Sequence, residues 1–96
     1  MQRTRAQAIA LQEIEQRMND RAAFAGQLGA EVRRRRVELG LRQEELADLA
    51  ETSERFVHVL ETGKPTVRMD KVLAVLTALG LDLQVVVATP HDPVDE

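Results

Sequence analysis

The polar side chains with recognisable chemistry gather in Leu39–Gly63, LGLRQEELADLAETSERFVHVLETG. Two short helical patterns sit there, joined by only a few residues. The second opens with Thr52-Ser53 and is polar on one face, where Glu54, Arg55 and His58 lie. Their chemistry is recognition by hydrogen bonding and charge, not bond making. No nucleophile–base pair, glycine-rich phosphate loop or motif-spaced carboxylate pair stands in the chain, so no enzyme is expected. His58 lies at helical i, i+4 and i, i+3 spacing from Glu54 and Glu61. Nothing nearby completes a ligand set, so no metal and no cofactor are expected. A short polar helix of this kind suits being held out from a small domain and pushed into a DNA groove.

The elements that must hold it read as helices. Residues 5–18 place Leu11, Ile14 and Met18 at helical spacing. Asn19-Asp20 offers a cap or a break. A second segment runs from about Arg21 to Leu39, with Phe24, Leu28, Val32, Arg36 and Leu39 on one side, and Gly26 and Gly29 weakening its first half. The two segments either stay separate or merge into one bent helix. Gly40 supplies a left-handed helix end. Gln43–Ala50 follows, with Leu46, Ala47 and Ala50 inward. Thr52 or Ser53 then caps a helix ending near Glu61, with Val57 and Leu60 inward. Gly63 and Pro65 stop it. Met69–Leu79 is amphipathic and ends at Gly80, with Asp70 in its first turn where the helix dipole favours a carboxylate.

From Leu81 the character changes. Leu81, Leu83, Val85 and Val87 alternate with Asp82, Gln84 and Val86, as a strand does. A lone strand leaves backbone donors and acceptors unpaired along both edges. Pairing with the same strand of a second copy solves this, which predicts a two-fold homodimer; the alternative is irregular chain laid over the core. Residues 89–96 are polar, hold two prolines, and are expected to be disordered.

The bulk numbers agree with one small domain. The chain has 96 residues, no cysteine, two histidines, and Phe24 and Phe56 as its aromatics. Disulfides and thiolate metal sites are excluded, and the core must be aliphatic. A domain of this size buries only about 60% of its unfolded surface and is marginal alone. No apolar run approaches the ~20 residues that span a bilayer, and no secretory signal is evident. No membrane partner and a cytoplasmic location are expected. Net charge is −3. The basic residues are nonetheless segregated: Arg33–Arg36, Arg42, Arg55, Lys64, Arg68 and Lys71 precede a stretch with none. A chain acidic overall can still present a basic face.

Arg36, Gly40-Leu41, Gln43, Glu45-Leu46-Ala47, Ser53, Val57, Leu60, Glu61 and Gly63 fall at fixed offsets across several elements. In these residues the chain resembles the Cro/repressor-type, XRE-like helix-turn-helix domains over roughly Leu28–Leu81. The resemblance implies that the second helix of the pair enters the major groove. It offers Ser53, Glu54 and Arg55 at its start, with His58 and Val59 a turn on. Arg55 then presents a bidentate fork to guanine, Glu54 accepts from cytosine, and Val59 or Phe56 touches a thymine methyl. Gln43 takes the family position near the phosphates, while Arg42, Lys64 and Thr66 flank the same surface and position the backbone. Arg36 and Glu61 become an internal ion pair. Three residues depart from the family pattern. Arg42 replaces a capping Thr, Glu51 stands where the turn has Gly and would be strained at positive φ, and Thr52 replaces an apolar Val.

Glu61-Thr62-Gly63-Lys64-Pro65-Thr66-Val67, then a helix ending Leu76-x-x-Leu79-Gly80-Leu81, then a strand, is similar to the HipB-type antitoxins. That resemblance implies a dimeric repressor of its own operon that also binds and inhibits a HipA-type serine/threonine kinase toxin. The expected architecture is all-α. An N-terminal helical extension (1–20) precedes the helix-turn-helix domain (21–80), a dimerisation strand (81–88) and an acidic tail (89–96). Two recognition helices about 34 Å apart would read a palindromic operator. Two alternatives stay open: an interaction module that masks a toxin and binds DNA incidentally, and a stand-alone or phage-type regulator.

Overall fold

The computed structural model describes residues 4–87, which form four helices: α1 (Arg5–Glu38), α2 (Gln43–Leu49), α3 (Glu54–Glu61) and α4 (Met69–Ala78). Asn19-Asp20 does not break α1, which runs unbroken for 34 residues. A capping box starts it. Thr4 Oγ1 accepts from the Gln7 N–H at 3.1 Å, and Gln7 Oε1 accepts from the Thr4 N–H at 2.9 Å. Residues 19–20 sit mid-helix, where the i→i−4 ladder already serves the backbone. Asp20 instead accepts from Gln16 on its own helix face.

Only the C-terminal half of α1 packs on the domain. Val32 joins Leu46, Ala47, Ala50, Val57, Leu60, Val72, Val75, Leu76 and Leu79 in one aliphatic core. Ile9, Ile14, Met18 and Phe24 remain exposed. Phe24 and Leu39 therefore do not join the core face expected of them. The radius of gyration is 17.7 Å, against about 12.5 Å for a compact chain of this length; the exposed half of α1 and the exposed residues 85–87 both lie off the core. The crossing of α1 and α3 is close. A Cβ on the buried Gly29 would lie 2.4 Å from the Leu60 carbonyl oxygen. Gly29 weakens the helix locally, yet it is what lets the two backbones meet.

All four helices end in the same way. A residue with positive φ follows each helix, and the next N–H bonds back to a carbonyl five residues earlier: Leu41 to Arg36, Thr52 to Ala47, Lys64 to Val59, Leu81 to Leu76. This is the Schellman motif. Gly40, Gly63 and Gly80 fill the left-handed position three times; Glu51, at φ 55°, fills it in the turn between α2 and α3.

Residues 81–87 form neither helix nor strand in the single chain. A strand exists only where a partner takes its ladder bonds, and among the described residues none is offered. Leu81 and Leu83 fold back against the core, whereas Val85, Val86 and Val87 are exposed. The four alternating apolar residues thus divide into an inward pair and an outward pair. Residue 88 and the tail expected at 89–96 lie outside the described residues. No helix among the described residues is long and apolar enough to cross a membrane.

Candidate nucleic-acid interface

Helix α3 is anchored on one face and open on the other. Val57 and Leu60 are buried, while Ser53, Glu54, Arg55 and His58 are exposed and Val59 is half-buried. Ser53 starts the helix by accepting the Phe56 N–H at 3.0 Å. Its hydroxyl is thereby partly committed to the helix, but the leading turn is not covered by other parts of the described chain. Lys64, Thr66, Arg68 and Lys71 line one shallow cleft with Ser53, Arg55 and Val59. Lys71 Nζ lies 5.7 Å from the centre of the Phe56 ring, a cation–π distance. Phe56 therefore packs under Lys71 and is half-buried.

The far end of α3 is tied down by charge. Arg36 grips Glu61 with both arms, Nε to Oε2 at 2.7 Å and a terminal nitrogen to Oε1 at 3.0 Å. Its other terminal nitrogen donates to the Leu41 carbonyl at 2.8 Å. The two side chains are 12% and 4% exposed, low enough for the pair to resist screening. The carboxylate bond raises the Arg36 pKa further above its ordinary value, so the guanidinium stays charged at any working pH. Gln43 also points here, its Nε2 donating to Glu61 Oε1 at 3.1 Å. The side chain assigned to the phosphates by resemblance thus has a bracing bond inside the domain. One carboxylate joins α1, α2 and α3 and sets the angle at which α3 leaves the core.

Arg42 starts α2 without a side-chain cap, yet half of a capping box survives. Glu45 Oε1 accepts the Arg42 N–H at 2.9 Å and Arg42 Nε at 3.2 Å. The backbone bond, then the guanidinium, holds the Glu45 carboxyl below its ordinary pKa. Arg42 is exposed beside the start of α2. The consecutive arginines diverge as helix geometry requires. Arg34 bonds to Glu31 and Glu38, Arg36 to Glu61, and Arg35 Nε donates to the Leu79 carbonyl at 3.0 Å. That last bond pins the end of α4 to α1 across 44 positions of sequence, and no local signal announces it.

The arrangement places a braced helix against a cleft edged with cations, which is the geometry for reading base edges while holding the backbone. A family model described as a helix-turn-helix domain matches residues 27–88. The chain is also similar to y4mF, an uncharacterized HTH-type transcriptional regulator of Sinorhizobium fredii (strain NBRC 101917 / NGR234). The two are 44% identical over 68 residues, which span 71% of this chain and 90% of that protein. On the α2–α3 geometry and these matches, the chain belongs to the XRE-like helix-turn-helix domain family.

Proposed function

We propose that the protein is a sequence-specific DNA-binding transcriptional regulator that represses its own promoter as a homodimer. We further propose that it is the HipB-type antitoxin of a HipA-type serine/threonine kinase toxin. The observation that carries DNA binding is the orientation of α3, with Val57 and Leu60 in the core and Glu54, Arg55 and His58 outward. A similar protein named as an HTH-type transcriptional regulator supports the regulatory role. Arg55 is exposed and, among the described residues, free of any carboxylate partner. Its planar fork is therefore available to a guanine edge.

The dimer reading rests on residues 81–87. Val85, Val86 and Val87 are exposed, and β-branched side chains favour a strand once a second edge is supplied. Two copies joined there would present two recognition helices to a palindromic operator. The antitoxin reading rests on the Glu61–Val67 and Leu76–Leu81 motifs. An interaction module that masks a toxin remains a second reading. It is favoured by an apolar groove of about 410 Å³ whose lining includes Phe24, Leu28, Met69 and Leu83.

A mobility shift on the chain's own promoter, at two salt concentrations, tests DNA binding. Arg55→Ala is expected to relax preference at one position per half-site by roughly 1–3 kcal/mol; unchanged base preference removes that contact. Deletion of residues 81–96 is expected to give monomers with weaker promoter binding. Sedimentation as an intact dimer rejects the strand role. Co-purification with the product of a neighbouring kinase-like gene tests the antitoxin role, and its failure leaves a regulator without a toxin.

A further inference from the structure

Arg21 lies outside the helix-turn-helix pair, on the projecting half of α1. It lines the same groove as Lys64 and Pro65. Lys64 in turn lines the cleft that holds Ser53, Arg55, Thr66 and Lys71. Lys64 thus stands where the cleft beside α3 meets the apolar groove, and Arg21 is the other cation on that groove, at the middle of α1. Arg17, four positions away, lies beside Arg21 on the helix surface. Arg68 is partnered by Asp70. Arg17, Arg21, Arg55, Lys64 and Lys71 have no carboxylate partner among the described residues. Asp20 also lines the groove and keeps its negative charge there, its Oδ1 accepting from the neutral Gln16 Nε2 at 2.9 Å along α1.

We propose that Arg21, with Arg17 one turn before it, grips the phosphate backbone of the bound duplex, extending the interface from Lys64 along α1. The proposal rests on the DNA-binding reading above. Its occupant follows from charge and continuity: Arg21 and Lys64 are unpaired cations on one groove, and that groove adjoins the cleft beside α3 through Lys64. Its geometry is fixed in advance. Helix α1 is unbroken, and it is locked to the end of α3 where Gly29 meets the Leu60 carbonyl and Gly63 meets Gly26. A phosphate met there requires little further ordering of the backbone. Such contacts add affinity without reading sequence.

The test measures binding to two labelled duplexes, the chain's own promoter and a random sequence of equal length, over roughly 50–200 mM salt. Arg21→Ala is expected to flatten the slope of log affinity against log salt by about 0.9 for each contacting copy. Over that salt range each copy then loses roughly 3.5-fold less affinity than in the parent. The change is expected to be equal on both duplexes, and Arg21→Lys should restore the slope. Arg55→Ala, by contrast, should alter the ratio between the duplexes. Arg21 is exposed, so circular dichroism should show an unchanged fold. An unchanged slope for Arg21→Ala while the parent binds overturns the contact. A loss confined to the promoter duplex also overturns it. A parent chain that binds neither duplex removes the DNA-binding reading itself, and this contact with it.

Discussion

Replacing Glu51 by glycine should stabilise the protein, and the chain contains its own control. Four helices end in Schellman motifs with the same pair of backbone bonds. Three put glycine in the left-handed position, at φ 73°, 86° and 70°; the fourth puts Glu51 there at φ 55°. A side chain in that region brings its Cβ against the following carbonyl, costing about 1–2 kcal/mol. Glycine removes this contact but gives the unfolded chain more freedom, which offsets about 0.4–1 kcal/mol. The net gain for Glu51→Gly is then about 0.8 kcal/mol at the midpoint of these ranges. For a domain of this size, about 4–8 °C per kcal/mol makes this a rise in Tm of roughly 3–6 °C. Thermal unfolding by circular dichroism reads it directly. Glu51→Ala separates backbone from charge, because alanine removes the carboxylate and keeps the Cβ. It should gain nothing. A Tm for Glu51→Gly at or below that of the parent, or an equal gain from alanine, would refute the strain argument.

Thr52 Oγ1 is buried without a hydrogen-bond partner, and Thr52 occupies the position after the left-handed residue, where an apolar contact usually closes the motif. Thr52→Val is expected to raise stability by about 1 kcal/mol; a lower urea midpoint would contradict this. Arg36→Ala and Glu61→Ala are each expected to cost about 3–5 kcal/mol, because each strands a largely buried charge. The double variant should cost less than the sum, and strictly additive losses in denaturant titrations would show that the pair does not act as a unit. The Glu45 carboxyl is held below its ordinary pKa by the Arg42 N–H and then its guanidinium. Its contribution is therefore full above the ordinary value of about 4.3 and lost as pH falls through the lower folded value. Glu45→Gln keeps an acceptor at that position but cannot titrate. The Tm difference from the parent should shrink below that pH, and a constant difference from pH 7 to 3 would exclude the linkage.

The helix ends were legible in the residues themselves. Gly40, Gly63 and Gly80 stop helices through their own backbone freedom, and Ser53 caps α3 by accepting the N–H three residues on. Glu51 was legible as a strained site only through the family resemblance, which puts glycine in that turn; the structure supplies the positive φ. The α2–α3 pair was equally plain, since Val57 and Leu60 face the core at a spacing that holds in any small helical domain.

Relations between distant residues were not legible. Gly29 looks like a flaw in a helix until the Leu60 carbonyl is seen beside it. Arg35 looks like one of four solvated arginines until it meets Leu79. Gln43 shares a carboxylate with Arg36 only because α2 and α3 cross where they do. The Asn19-Asp20 pair suggested a break, yet backbone bonds along α1 outweighed that local preference. Leu81 and Leu83 alternate as a strand would, but folding them onto the core depends on where α4 ends. Side-chain type and spacing determine local conformation, because its energies are set within a turn or two of chain. Which surfaces then meet depends on packing between segments, and only the assembled tertiary structure decides it.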